Sequence, residues 1–267
     1  MKTADELLVQ VNAFLETLPY ERTPKSLYEP IRYVLSMGGK RIRPVLMLLG
    51  YNLFKEDTEK ILMNAIALET YHNYTLLHDD LMDNADLRRG HETVHKKWDA
   101  NTAILSGDSM LVLAYERMAQ CDERHLAQVL RLFTTTALEI GEGQQYDMEF
   151  ETRDDVREEE YIEMIRLKTS VLLACALKIG ALLADASAED ADNLYKFGEL
   201  IGLASSCKTT IWMFMATRKC LVKTLVATSR RTRKLICSSM LSAMPTPTSA
   251  RSWKNGWRLR LSIVRRR

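Results

Sequence analysis

The sequence predicts an all-α protein, a large single-domain helical bundle. Up to about position 203 apolar residues recur three and four apart, Gly and Pro are sparse inside the segments so marked, and no strand-type alternation competes. Taken in order, helices are expected over residues 4–17, 25–37, 43–54 and 58–83, with Pro24, the Gly38-Gly39 pair and Pro44 punctuating these early ones. Helices over 98–120, 124–147, 158–180 and 188–203 follow, and the polar stretches 84–93 and 151–157 read as loops. The stretch 172–183 is apolar over most of its helical surface, which suits a central helix of a bundle.

Composition sets bounds on function. A chain of 267 residues with 46% hydrophobic content can bury a sizeable core. Its cysteines, Cys121, Cys175, Cys207, Cys220 and Cys237, show no C-x-x-C pair or metal-ligand spacing, so a reducing cytoplasm is expected and a stapled fold is excluded. Neither an N-terminal apolar signal segment nor an uncharged apolar run of about 18 residues occurs in the first two hundred positions, so a soluble protein without a membrane span is expected. The net charge of +2 hides a sharp division. All 35 Asp and Glu lie at or before Glu199, so residues 1–199, with 22 Lys and Arg, carry −13. Residues 200–267 hold the other 15 cations and carry +15, together with Trp212, Trp253 and Trp257.

The sharpest local signal is the run His-Asp-Asp-Leu-Met-Asp-Asn-Ala-Asp-Leu-Arg-Arg-Gly over 78–90. On a helix, spacings of three and four put Asp79 and Asp80 on the face of Asp83, a convergence of charge that destabilises the chain unless a cation sits there. Hard oxygen ligands on one or two carboxylates suit Mg²⁺, which completes its shell with water and substrate phosphates. Arg88 and Arg89 then read as the phosphate's other neighbours, because a guanidinium matches phosphate oxygens in bidentate fashion. The plainer reading is a solvated acidic helix end beside a basic turn, but it leaves the apolar lead-in at 74–77 without a reason.

Further clusters accompany it. In Gly38-Gly-Lys-Arg-Ile-Arg-Pro44 a flexible turn is followed by cations, and Lys40 and Arg43 lie three apart, on one face of a helix start that itself favours an anion. Alone, that motif reads more simply as a helix-initiating turn with solvated charges. His72 stands seven residues before Asp79 on much the same face. Lys168-Thr169 lies where a helix turns apolar and could meet a phosphate, although a lone lysine more commonly snorkels. Gly143-Gln-Gln-Tyr-Asp147 closes the set at a helix end.

Together and in this order these elements resemble the trans-isoprenyl diphosphate synthase family, the head-to-tail prenyltransferases that include farnesyl and geranylgeranyl diphosphate synthases. The matching motifs are G-G-K-R-x-R-P at 38–44, H-D-D-x-x-D with L-R-R-G at 78–90, G-Q-x-x-D at 143–147 and K-T at 168–169, and the resemblance runs from about residue 13 to 204. It implies a bundle of the isoprenoid synthase type whose central cavity binds two diphosphates, usually as a homodimer. By position, Lys40, Arg43, His72 and Arg89 would hold the diphosphate of isopentenyl diphosphate. Asp79 and Asp83, with Asp80 supporting, would bind Mg²⁺ bridging the allylic diphosphate, which Arg88 and Lys168 would contact. The implied reaction is ionisation of the allylic substrate, attack by the isopentenyl double bond and proton loss, with Lys168 and Thr169 catalytic and Thr169 steadying the carbocation. Tyr74, five positions before Asp79, would form the chain-length floor and imply a short product.

The sequence departs from the family where a second aspartate-rich motif is required. Residues 205–217 hold no carboxylate. Trp and Met each have a single codon, and both end in G, so reading one base earlier forces Asp across Trp212-Met213, Val across Met213-Phe214 and Gly across Met215-Ala216. With permissive third bases, residues 204–228 re-read as AFQLQDDYLDVYGDPKVFGKNIGGD, which carries the missing motif. The chain is therefore expected to divide into a prenyltransferase bundle at 1–204 and a basic tail at 205–267 that is a frameshift product, poorly ordered or only fortuitously helical. An evolved basic tail for nucleic acid or membrane is the weaker account, because the tail has no coherent period. The expected function is a prenyl diphosphate synthase impaired by loss of the second motif. The alternative is an inactive or regulatory relative; a terpene cyclase is disfavoured because it has no use for Lys40, Arg43 and Arg89.

Overall fold

Local chemistry sets the helix boundaries. Before α1 (Ala4–Thr17), the Thr3 hydroxyl accepts from the Glu6 amide at 3.3 Å and the Glu6 carboxylate accepts from the Thr3 amide at 2.7 Å, so two otherwise orphaned donors are satisfied reciprocally. The computed structural model describes residues 1–19 and 22–219, of which 209–219 are described by backbone alone. α2 (Lys25–Ser36) follows Pro24, and α3 (Ile42–Asn52) begins after a turn in which Gly38, Gly39 and Arg41 all take positive φ. Pro44 sits in the first turn of α3, where its missing N–H costs nothing.

A 3₁₀ turn over Thr58–Ile61 leads into α4 (Leu62–Met82), so the helix expected over 58–83 starts one tight turn late. The expected loop at 84–93 holds a hairpin, β1 (Leu87–Arg88) against β2 (His91–Glu92), with Arg89 and Gly90 at positive φ between them. After α5 (Val94–Lys97) comes α6 (Ala100–Met118), whose cap Asp99 accepts from the Thr102 amide at 2.8 Å. α7 (Glu123–Phe150) is longer than expected and α8 (Glu158–Ile165) shorter. The continuous helix expected over 158–180 is instead α8, a π-helical segment over Arg166–Ser170, and α9 (Val171–Leu183). The last described element, α10 (Ala188–Lys219), stays helical past the expected end at 203 and through the first part of the tail. From residue 220 onward the expectation for the tail lies outside the described residues.

α4 and α9 form the centre. Every residue of α9 except Lys178 is buried, in keeping with the apolar run seen in the sequence. α3 crosses α9 backbone to backbone: a Cβ on Gly50 would lie 2.6 Å from the Leu177 carbonyl oxygen, a contact only glycine permits. Among the described residues the short hairpin is the only pairing of strands, and no helix is long and apolar enough to cross a membrane. This packing sets the end of α4 and the start of α9 facing α7, and the chemistry collects in the space between them.

Candidate functional site

A cavity of about 410 Å³ lies between α4, α7 and the π-helical segment, lined among others by Arg43, Tyr71, His72, Tyr74, Asp79, Ile140, Lys168 and Thr169. The π segment widens one turn, an irregularity that recurs at functional sites, and sets the consecutive Lys168 and Thr169 on the cavity wall. Gly143 allows α7 to come close enough: a Cβ there would lie 2.8 Å from Lys168 Cα. The approach lets Lys168 Nζ donate to Asp147 Oδ2 at 2.7 Å. Asp147, itself buried, therefore holds the lysine in place.

The aspartates divide into two groups. α4 ends at Met82 and Asp83 is its C-cap. Burial pushes the Asp79 carboxyl up, with Lys168 opposing; burial and then the Asp79 charge push Asp83 up to about 6. Asp80 turns away: it is 5% exposed and accepts from Arg88 Nε at 3.0 Å through both oxygens and from Arg88 Nη2 at 2.5 Å. The expected convergence of all three carboxylates is corrected accordingly. On a helix Asp79 lies about 40° to one side of Asp83 and Asp80 about 60° to the other, so the hairpin arginine captures Asp80 while Asp79 faces the cavity. Arg88, expected at the allylic diphosphate, has its fork on Asp80 and does not line this cavity, and its charge opposes the rise of Asp79 next after that of Lys168. Asp80, Arg88 and Arg89 instead border a separate void of about 10 Å³.

Cations gather at the other end. Arg43 is partly buried, and burial lowers its guanidinium to about 10, with Glu69 opposing and Arg89 adding to the shift. His72 is held well below its ordinary value by burial first and then by Arg43 and Arg89, so its imidazole is neutral at pH 7. Arg89, left-handed at φ 54, donates from Nη1 to the Gly38 carbonyl and fills the space a Gly39 side chain would need. Lys40 is exposed on that turn and makes no hydrogen bond or ion pair within the described residues. Tyr74 lines the cavity, its ring 5.5 Å from Tyr71 and 4.9 Å from His78.

Among the described residues no group of three or more His, Cys, Asp or Glu is disposed to hold a metal ion by itself. Asp79 and Asp83 nevertheless offer two oxygen donors whose mutual repulsion Lys168 only partly offsets. That set fits Mg²⁺ arriving with a diphosphate, since this ion binds through one or two carboxylates and substrate oxygens. Three participants were given no role from the sequence, although Arg41 and Asp147 stand in motifs it singles out. Arg41 and Glu69 form a buried pair at 2.6 Å, and Asp147 holds Lys168. Glu69 is flagged in retrospect by directly following the apolar run 65–68, and Asp147 by lying one helical turn from Gly143, which the lysine backbone touches.

The family described as Polyprenyl synthetase matches residues 24–206. A geranylgeranyl diphosphate synthase of Methanosarcina mazei is 44% identical over 190 residues, 70% of this chain and 58% of that protein. A crystal structure of a geranylgeranyl pyrophosphate synthase is 47% identical with a TM-score of 0.74, over 76% of this chain and 62% of the other. A geranyltransferase from Helicobacter pylori, complexed with magnesium and isoprenyl diphosphate, is 26% identical with a TM-score of 0.72, over 78% and 73% of the two chains. The present chain thus spans less than two thirds of the length of the first two.

Proposed function

Because the chain belongs to the polyprenyl synthetase family, we propose that it is built as a short-chain, geranylgeranyl-type prenyl diphosphate synthase, joining isopentenyl diphosphate head-to-tail to an allylic diphosphate. The observation that supports this reading is one cavity lined by Arg43 and His72 together with Asp79, Lys168 and Thr169. Two diphosphates need cations to receive them and apolar wall for their hydrocarbon chains, and Tyr71, Tyr74, Ile140 and Leu172 line the cavity as such wall.

In this scheme Arg43, His72 and Arg89 receive the isopentenyl diphosphate, with Lys40 reaching it from the exposed turn. Asp79 and Asp83 hold Mg²⁺, which when bound supplies positive charge to the departing diphosphate. Lys168 exchanges Asp147 for a diphosphate oxygen, adding a second preorganised charge in a site from which the apolar wall excludes water. Thr169 stands beside it and steadies the developing cation, while Tyr74 limits chain growth. Asp80 contributes indirectly, by tethering Arg88 and the hairpin that carries Arg89. A second copy is proposed to cover the exposed Leu105 and Val112 of α6 and Leu138 of α7, and the chain is assigned to the cytoplasm.

The acid-free tail after Ala204 supports impairment through a changed frame, since it leaves Asp79 and Asp83 without a facing wall of carboxylates. The test is to incubate the purified chain with labelled isopentenyl diphosphate, each allylic diphosphate and Mg²⁺, beside a form with the frame restored from residue 205. Product from the restored form only is the expected result. Product from both makes the second motif dispensable, and product from neither overturns the synthase reading.

A further inference from the structure

Three guanidiniums, those of Arg41, Arg43 and Arg89, act by their charge on His72, though of the three only Arg43 lines the cavity, and Glu69 is the carboxylate whose attraction acts most strongly on both Arg43 and Arg89. Glu69 nevertheless bonds neither of them. Its Oε1 accepts from Arg41 Nη1 at 2.6 Å and from Asn73 Nδ2 at 3.1 Å, and the Arg41 and Glu69 side chains are 4% and 2% exposed. Arg41 Nη2 donates in addition to the Leu35 carbonyl at 2.8 Å, so one planar fork ties the end of α2 to α4 three residues before His72. Arg41 takes φ 46, a conformation that a residue with a β-carbon rarely adopts, and these bonds keep it there. Arg43, by contrast, makes no hydrogen bond within the described residues, and its Nε is buried without a partner.

A carboxylate buried to this degree must be paired. We infer that Arg41 is a positioning residue: by occupying Glu69 it prevents that carboxylate from capturing Arg43 or Arg89, and so leaves Arg43, and the part of the Arg89 fork not held by Gly38, for a diphosphate. The inference rests on the diphosphate reading given above. It gives Arg41 a different task from its neighbours Lys40 and Arg43 in the same basic run. One carboxylate attracts three cations, and Arg41 confines it to one of them. Lysine could not do this, having no second arm to reach Leu35 while holding Glu69.

The probe is inorganic pyrophosphate, titrated calorimetrically into the full chain at low ionic strength, with the fold of each variant checked by thermal melting. Arg41→Gln is expected to weaken binding by roughly tenfold or more, because the freed Glu69 turns to Arg43. Arg41→Gln with Glu69→Gln is expected to return to within about threefold of the unmodified chain, a non-additive rescue that a purely structural role would not produce. Arg41→Gln binding like the unmodified chain, or a double variant no better than the single, overturns the inference. Should Arg41→Gln melt below the assay temperature, Glu69→Gln alone decides: undiminished or tighter binding supports the inference and weaker binding overturns it. An unmodified chain that does not bind pyrophosphate overturns the diphosphate reading, and the inference with it.

Discussion

Replacing Gly143 by alanine sets two effects of known sign against each other. In a helix interior alanine gains about 1 kcal/mol over glycine. Against this, the new Cβ would lie 2.8 Å from Lys168 Cα and 2.9 Å from the Leu167 carbonyl carbon, and both partners are backbone that cannot swing aside. Ordinary carbon contacts lie at about 3.5–4.0 Å, so α7 and the π segment must part by about 1 Å. Overpacking of this kind costs about 1–3 kcal/mol, and two rigid backbones place it toward the upper end. The net expectation is destabilisation of about 1–2 kcal/mol, or a melting temperature lower by about 2–8 °C for a domain of this size. Gly141, two residues earlier on α7, is the internal control, because a Cβ there would meet nothing within 4 Å. Gly141→Ala should therefore raise stability by up to about 1 kcal/mol. The assay is urea denaturation followed by far-ultraviolet circular dichroism, with Mg²⁺-dependent pyrophosphate binding measured in parallel. Displacing Lys168 and Thr169 by about 1 Å should weaken that binding by roughly tenfold or more in Gly143→Ala and leave it unchanged in Gly141→Ala. Gly143→Ala as stable as the unmodified chain, or both variants shifting in the same direction, would refute the reasoning.

Other outcomes follow from the charges. Asp83, raised from the ordinary carboxylate value to about 6, favours the folded state only while protonated: that contribution is complete below about pH 4 and is lost as pH rises through about 6. Asp83→Asn should therefore stabilise the ligand-free chain at pH 7.5 by about 1 kcal/mol after solvent screening, yet abolish the rise in melting temperature produced by Mg²⁺ with pyrophosphate; an unchanged rise would remove Asp83 from the metal site. Asp80→Asn leaves Arg88 without its bidentate partner and should cost about 2–4 kcal/mol, somewhat below a fully buried pair because Arg88 retains 30% exposure. Its accompanying sign is faster tryptic cleavage in the hairpin, and unchanged cleavage would show that Asp80 does not tether it. Lys168→Met strips Asp147 of its partner, so it should lower the urea midpoint and, in a frame-restored form, reduce turnover far more than it raises the KM for isopentenyl diphosphate; a pure KM effect would reassign Lys168 to the other diphosphate.

Much of this was legible in the chain. The helical periodicity and the punctuation at Pro24, Gly38-Gly39 and Pro44 located most helices, because burying one stripe of a helix leaves a repeating mark. The π segment left no such mark. Over five residues a turn of 4.4 and a turn of 3.6 predict nearly the same apolar positions, so 166–170 reads as plain helix and only its packing on Gly143 reveals the widening. The hairpin at 87–92 was invisible because its strands are two residues each, largely exposed and rich in charge. Helical spacing likewise grouped Asp79, Asp80 and Asp83 but could not say that a residue eight positions on would claim the middle one.

The sequence alone determined the fold class, the family and the inventory of charged groups, since periodicity, residue type and spacing along one chain are local properties. Which carboxylate meets which cation is not local. Asp147 with Lys168 and Arg41 with Glu69 are separated by 21 and 28 residues, and their partnership depends on how closely α7 meets the π segment and how the turn before α3 folds against α4. In a buried, weakly screened setting one such pairing determines which arginine remains free to bind a diphosphate. Only the tertiary structure decided that.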